Sequence, residues 1–502
     1  MNKQIKVGSL LQYIQIALNI VISIIYTPIM LRILGQSEYG LYSLSSTIIS
    51  YLSVLSLGLG SAYLRFYSRC KKKDPEKVKT LNGVYLFAFG IIAVLTIICG
   101  LVLTTNIKLF LNASYSGSDI STAKILMVVL TINMALSFPM SVFSSYIMSQ
   151  EKFIFQKAIN IGKTVFSPML SILALLLGYR SIGLVVATVT INLIVDAINI
   201  LYCFKHLKMK ISFKNMSFSM FKEIIIFSSF IALNQIIDQI NWETDKIILA
   251  KMLNSAAVSI YAIGATFNYY FRLFSETISN LFAPRINKIV ADNKEDVNLE
   301  LTKLMTSIGR VQFMILSLVL SGFIFFGKAF IVFWVGNGYE DSYYIALLLL
   351  CPGIIPLIQN AAIEIQRAKN LHKFRTLIYF IMAIFNVGIS ILFFKLFGII
   401  GVASGTALML VVADGIVFNI YYHKKMHLNM LHFWKEILKI VPALFIPILC
   451  GLLLYFEPIA TGFDLVKYII AYTSVYVVSI MCFGLNKKER DALFNKSIEP
   501  KE

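Results

Sequence analysis

The sequence predicts an all-α, polytopic membrane protein of about fourteen transmembrane helices, and three observations carry that reading. Of its 502 residues, 58% are hydrophobic and only 14% are charged, whereas a soluble chain carries about 25% charge. Apolar runs of roughly twenty residues, the length that crosses a bilayer, recur from end to end. No stretch alternates apolar and polar residues as a membrane strand would, and lipid admits only elements that pair their own backbone.

Taken in order, the spans are expected at 9–33, 40–63, 81–104, 122–147, 158–178, 182–203, 222–248, 256–282, 303–326, 341–364, 376–396, 400–421, 438–456 and 465–484. Lys3 and Lys6 precede the first, but its apolar run from Leu10 to Leu34 is too long for a cleavable signal, so it reads as a permanent span. The second ends in the basic stretch "RFYSRCKKKDPEKVK" (Arg65–Lys79), with seven Lys and Arg. Most of the 45 Lys and Arg gather at the two termini and in every second loop. That asymmetry in short loops sets both termini in the cytoplasm. The formal net charge of +19 is then an orientation signal that also attracts anionic lipid, and nucleic acid is not needed to explain it.

The six cysteines form no CxxC pair, so neither a disulfide framework nor a metal site is expected. His423, His427 and His432 lie in a basic loop and read as a solvated surface.

The chain also repeats itself. Gly183 opens "GLVVATVTINLIVDAINILYCFK" and Gly401 opens "GVASGTALMLVVADGIVFNIYYHK". Thr188 aligns with Thr406, and Asp196 with Asp414, 218 positions on; Tyr42 and Tyr261, Pro139 and Pro356, and Phe155 and Phe374 keep nearly the same offset. Spans 1–6 and 7–12 therefore read as two copies of one six-helix lobe, with spans 13 and 14 appended. The expected divisions are 1–206, a basic cytoplasmic linker at 207–221, 222–425, and 426–502. An even number of spans per copy gives both the same orientation, and two such bundles suit a transporter that alternates access to a site between them.

A transport path must be wettable, so helices with polar residues at steps of three and four are the candidates. Span 1 carries Gln12, Gln15, Asn19, Ser23 and Thr27; span 2 carries Ser43, Ser46, Ser50 and Ser53. Span 7 carries Asn234, Asp238, Asn241 and Asp245; span 8 carries Asn268, Arg272, Ser275, Glu276 and Ser279. These faces predict a hydrated cavity lined by spans 1, 2, 7 and 8, with Gln15, Asn19, Asp238, Asn241, Asp245, Asn268, Arg272 and Glu276 in its wall. Water and protein there would tolerate Arg272. The plain alternative is that Arg272 and Glu276, one turn apart, only neutralise each other. Asp196 and Asp414 are expected to bond to a neighbouring helix, and Arg310 to snorkel. Arg65 and Arg285, in matching places, either anchor their spans or form a cytoplasmic gateway for an anionic headgroup, since the guanidinium fork suits phosphate.

Several stretches resemble the polysaccharide transporter family of the multidrug/oligosaccharidyl-lipid/polysaccharide exporter superfamily: "LRILGQSEYGLYSL" (31–44), "LGLGSAYLRFYSR" (57–69), "DKIILAKMLNSAAVSIYAI" (245–263) and "FNVGISILFFKLFGIIGVASGTAL" (385–408). The resemblance implies a flippase for undecaprenyl-pyrophosphate-linked oligosaccharide in capsule, O-antigen or exopolysaccharide assembly, in the cytoplasmic membrane, beside polysaccharide polymerase and glycosyltransferases. It implies no cofactor, with Na+ or H+ as a coupling ion. In the lipid II branch, arginines contact pyrophosphate, and Arg272 matches the span-8 position. The sodium site of that branch matches Asp238, Asn386 and Thr406, with Ser390 where a second carboxylate stands in the family. A drug or metabolite antiporter on the same fold, or a lipid II flippase, is the alternative within transport; the acidic Asp238, Asp245 and Glu276 suit a cationic drug. A membrane glycosyltransferase or polymerase would need a large outer loop. The longest, 105–121, holds one acidic residue, Asp119, so no enzyme is expected.

Overall fold

The computed structural model describes residues 3–494 except Leu57, Pro75, 215–217 and 293–295. Part of the expected linker and the end of the tail thus lie outside the described residues. Those residues contain no strand. The helices are α1 (Lys3–Ser50), α2 (Leu59–Lys73), α3 (Lys77–Thr105), α4 (Gly117–Ser149), α5 (Phe153–Leu176), α6 (Arg180–Lys205), α7 (Phe218–Met252) and α8 (Ser255–Asp292). They continue as α9 (Val297–Val335), α10 (Asp341–Ile358), α11 (Asn360–Ala368), α12 (His372–Leu410), α13 (Phe418–Lys424), α14 (Met430–Leu438), α15 (Phe445–Tyr455), α16 (Gly462–Ser479) and α17 (Lys487–Phe494).

Ten runs among the described residues are long and apolar enough to cross a membrane. Two of these are double crossings. The run 10–56 breaks at Gly35 (φ 75°, ψ 172°), and the run 373–424 at Gly398 (φ 62°, ψ −140°). A side chain is strained at such φ values, which glycine reaches freely. α7 and α8, 35 and 38 residues long, have the length to cross but carry charge within. The fourteen expected crossings are accounted for in this way.

Spans 2, 10 and 12 depart from the expected single helices, span 13 opens on a 3-10 turn (Val441–Leu444) and span 14 closes on a π turn (Ile480–Gly484). Span 2 is α-helical to Ser50, tightens into a 3-10 turn over Tyr51–Ser56 and restarts as α2 after Gly58, which sits at φ 66°. Span 10 divides at Gln359 into α10 and α11. Span 12 passes through a π-helical turn, Val411–Val417, before α13. Hydropathy reports the length of an apolar run and is blind to these local changes of winding.

Contacts divide the chain into two units, Met1–Ala262 and Ile263–Glu502. In the first, Tyr63, Tyr85, Phe89 and Phe138 form the centre of a core built from α2, α3 and α4. Tyr63 donates to Asn82 Oδ1 at 2.5 Å, and Asn82 donates to the Lys210 carbonyl at 2.9 Å, tying α3 to the segment after α6. In the second, Phe271, Leu350, Phe418 and Phe433 centre the main core. Phe326, Tyr472 and Tyr476 form another where α16 meets α9.

Packing groups α7 with the first unit, whereas the repeat divides the sequence ahead of it; the two divisions describe different things. The repeat is visible within each unit separately. Phe155 stacks on Tyr202 with centroids 3.5 Å apart in the first, and Phe374 stacks on Tyr421 at 4.0 Å in the second, each ring 219 positions on.

Candidate functional site

In the first unit the expected wall residues grade from exposed to buried. Asn19 is exposed and accepts from Ser23 Oγ at 3.4 Å, while Gln15 is half-buried. Asp238 is exposed, Asn241 half-buried, and Asp245 buried with its carboxylate receiving the Tyr261 hydroxyl. Arg65 is exposed on α2.

The neighbouring face of α7 takes up the serines of span 2. Ser50 Oγ donates to Gln239 Oε1 at 3.1 Å, and Thr47 Oγ1 donates to Glu243 Oε2 at 2.7 Å. Lys246 holds the same carboxylate oxygen at 2.8 Å, and the Tyr51 and Thr244 hydroxyls lie 2.8 Å apart. Further along, Ser37 and Ser255 share a hydrogen bond of 2.7 Å. Ser50 and Thr47 are therefore helix-joining groups: a hydroxyl within an apolar span needs a partner, and α7 supplies it.

In the second unit the polar face of α8 divides in two. Asn268, Ser275 and Ser279 are buried. Gln312 of α9 donates to Ser275 Oγ at 3.0 Å and Ser279 Oγ at 2.8 Å, Asn360 of α11 donates to Ser275 Oγ at 2.7 Å, and Ser275 donates to the Leu357 carbonyl at 2.6 Å. Arg272 and Glu276 stay accessible, with 36% and 49% of their side chains exposed and 3.4 Å between Nη2 and Oε1. Arg285 is exposed one residue after Pro284. Asn386 and Thr406 do come together. Thr406 Oγ1 and Ser390 Oγ each donate to Asn386 Oδ1 at 3.2 Å, and all three residues are buried. Gly405 permits this approach, because a Cβ there would lie 2.6 Å from Ser390 Oγ. The cluster offers neutral oxygens, a donor set for a monovalent ion.

Arg310 corrects its expectation. It is 3% exposed instead of reaching for the membrane edge. Nε and Nη2 form a fork on Glu489 at 2.7 and 2.9 Å, Nη1 donates to the Glu436 carbonyl at 2.6 Å, and Nη2 to the Gly484 carbonyl at 2.8 Å.

The family model described as "Polysaccharide biosynthesis protein" matches residues 8–271, more than half of the chain. The chain belongs to the polysaccharide biosynthesis protein family. Among relatives, the uncharacterized membrane protein EpsK of Bacillus subtilis is 20% identical over 490 residues, 95% of both chains. A Shigella flexneri protein named as an O-antigen transporter is 20% identical over 402 residues, 78% of this chain and 91% of its own. A structure of the lipid II flippase MurJ in an inward closed conformation superimposes with a TM-score of 0.73 at 18% identity, over 97% of this chain and 99% of that one. That likeness gives this polysaccharide biosynthesis protein its fold.

Two functional-looking groups escaped the sequence of this family member. Glu243 and Lys246 sit near the end of an expected span, where charge reads as loop, and Gln239 lies one position off the Asn234–Asp245 stripe. The rule that hydroxyls in apolar helices seek partners would have pointed to Thr47 and Ser50. Arg375, which joins Asp414 through Tyr379, lay just ahead of the expected start of span 11.

Proposed function

We propose that this protein flips lipid-linked oligosaccharide repeat units, carried on undecaprenyl pyrophosphate, across the cytoplasmic membrane for capsule, O-antigen or exopolysaccharide assembly. Family membership supports the pathway class, and the relatives' names support transport over catalysis. The observation that carries the substrate charge is Arg272, an arginine within a membrane helix whose side chain stays one-third exposed. An accessible guanidinium suits a pyrophosphate.

Against a cationic drug, Asp245 is buried on Tyr261, which removes one of three carboxylates from an acidic wall. Two six-helix lobes, 1–206 and 222–425, would rock about a site lined by spans 1, 2, 7 and 8. Asp238, Asn386 and Thr406 would bind the coupling ion, and Arg65 and Arg285 would receive the headgroup from a cytoplasm that holds both termini. Polymerase and glycosyltransferases would act beside it. A headgroup of two negative charges leaving a negative interior gains about 4–5 kcal/mol per 100 mV.

The deciding experiment uses sealed proteoliposomes bearing a lipid-linked oligosaccharide and an impermeant lectin. Wild-type protein is expected to expose the inner pool, faster under a membrane potential. Exposure at the protein-free rate would overturn the reading. Single cysteines at Lys72, Lys208 and Lys424 in a cysteine-free chain should react only with permeant reagents, and those at Ser116 and Gly338 with impermeant ones; the reverse pattern would invert the orientation.

A further inference from the structure

The two repeat-related aspartates have met different fates. Asp196 is half-buried in the unbroken helix α6. Asp414 is 2% exposed and sits inside the π turn Val411–Val417. Single π turns in otherwise α-helical segments are frequent at functional positions. The Asp414 backbone is pinned. Asn419 donates to the Asp414 carbonyl at 2.7 Å and the Gly415 carbonyl at 3.1 Å, and Asn419 Oδ1 in turn receives Trp434 Nε1 of α14 at 2.7 Å and Gln359 Nε2 at 3.2 Å.

The side chain is only half satisfied. Oδ1 receives the Tyr379 hydroxyl at 2.8 Å, and Oδ2 is buried with no donor among the described residues. The nearest cation does not supply one. Arg375 gives Nη2 to Tyr379 Oη at 2.7 Å and Nη1 to Tyr422 Oη at 3.1 Å, and its guanidinium lies 4.6 and 4.9 Å from the ring centroids of Tyr379 and Phe418. Of the elements packed here, α12 contributes Arg375 and Tyr379, α13 contributes Tyr422, and the α10 side brings the uncharged Ile355 and Gln359.

A buried carboxylate oxygen without a donor is costly when ionised and acceptable when protonated. A hard metal cation would ask for a shell of oxygens, whereas a proton asks for one. The geometry points to Asp414 as a proton-binding switch: protonated, it leaves Arg375 on the tyrosines and holds the π turn; ionised, it draws Arg375 off them and rewinds this part of span 12. Its use in transport rests on the flippase reading; the protonation does not.

Trp434, bonded to the residue that caps the turn, is a built-in reporter. In full-length protein in lipid nanodiscs, with Trp242→Phe and Trp334→Phe, Trp434 emission is expected to follow a one-proton curve. Asp414→Asn should keep the acid-side spectrum at every pH. The difference between the two curves is the readout. The infrared band of protonated carboxyls should be weaker in Asp414→Asn than in the parent, by one carboxyl, across the pH range of the emission curve. Tyr379→Phe, which keeps the carboxyl and removes its donor, should move the midpoint. An identical curve in Asp414→Asn, an unmoved midpoint in Tyr379→Phe, or equal carboxyl bands in the parent and Asp414→Asn would each overturn the switch. None of these results requires transport, so a failed flippase reading and a failed switch are distinguishable.

Discussion

Arg272 and Arg310 are both arginines inside apolar helices of the second unit, and they face opposite conditions. Arg310 is 3% exposed, and it answers burial with a two-pronged bond to Glu489 and two backbone carbonyls drawn from separate elements. Arg272 has 36% of its side chain exposed and pairs with Glu276 of its own helix at a longer 3.4 Å. The first is a structural clamp: it fastens α14, the end of the π turn Ile480–Gly484 and α17 to α9. The second keeps its guanidinium accessible. A membrane-embedded charge is therefore informative only once its partners are known.

The largest expected effect tests the clamp. Arg310→Ala takes the guanidinium from the half-buried Glu489 carboxylate and from two backbone carbonyls, and should cost about 3–5 kcal/mol, read as loss of membrane-inserted protein and a lower melting midpoint in detergent. Adding Glu489→Gln should restore part of that loss, since the carboxylate left without its guanidinium goes with it. Unchanged abundance in Arg310→Ala would make the two arginines alike and end the comparison.

Next comes Arg272→Ala, which should abolish lectin-detected flipping while moving stability by no more than about 0.5 kcal/mol, as for an exposed substitution. Arg272→Lys should sharpen the point with intermediate flipping, because a point charge lacks the planar fork. Disappearance of Arg272→Ala from the membrane would instead assign this residue to structure.

A third test asks whether a bonded charge in the first unit behaves like the clamp. Thr47→Val removes one of the two donors to the Glu243 oxygen and should cost about 1.5 kcal/mol, visible as a lower melting midpoint. The smallest effect is expected at Thr406→Val, which leaves Ser390 still bonded to Asn386 and should cost about 1 kcal/mol. A gain in stability on adding Na+ that Thr406→Val removes would identify the cluster as an ion site.

These contrasts mark how far the sequence reaches. Apolar runs located the crossings, because span length is set by bilayer thickness and needs no tertiary information. Asp414 was correctly expected to bond to a neighbouring helix, and Tyr379 is that partner. The division of the α8 face was not legible. Ser275 and Arg272 are one turn apart on the same stripe, and only Gln312 and Asn360, contributed from 37 and 85 positions away, show which of them is buried. Arg310 was misread for the same reason: an isolated helix gives no sign of Glu489, 179 positions on. The π turn around Asp414 depends on Asn419, Trp434 and Gln359 meeting, and the α-period of the sequence continues through it unchanged.

The hydrogen bond joining Ser37 to Ser255 spans 218 positions, the offset that relates Asp196 to Asp414. The bond joins a residue to its own counterpart in the repeat. Such a contact must be self-complementary, and a hydroxyl, which both gives and accepts, meets that demand without any change in either partner. Two identical hairpins could therefore have formed this bond before their sequences diverged. Divergence has since marked its surroundings: Gly40 now lies so close to the Ser255 carbonyl that no side chain fits, while Val258 occupies the corresponding place in the second copy.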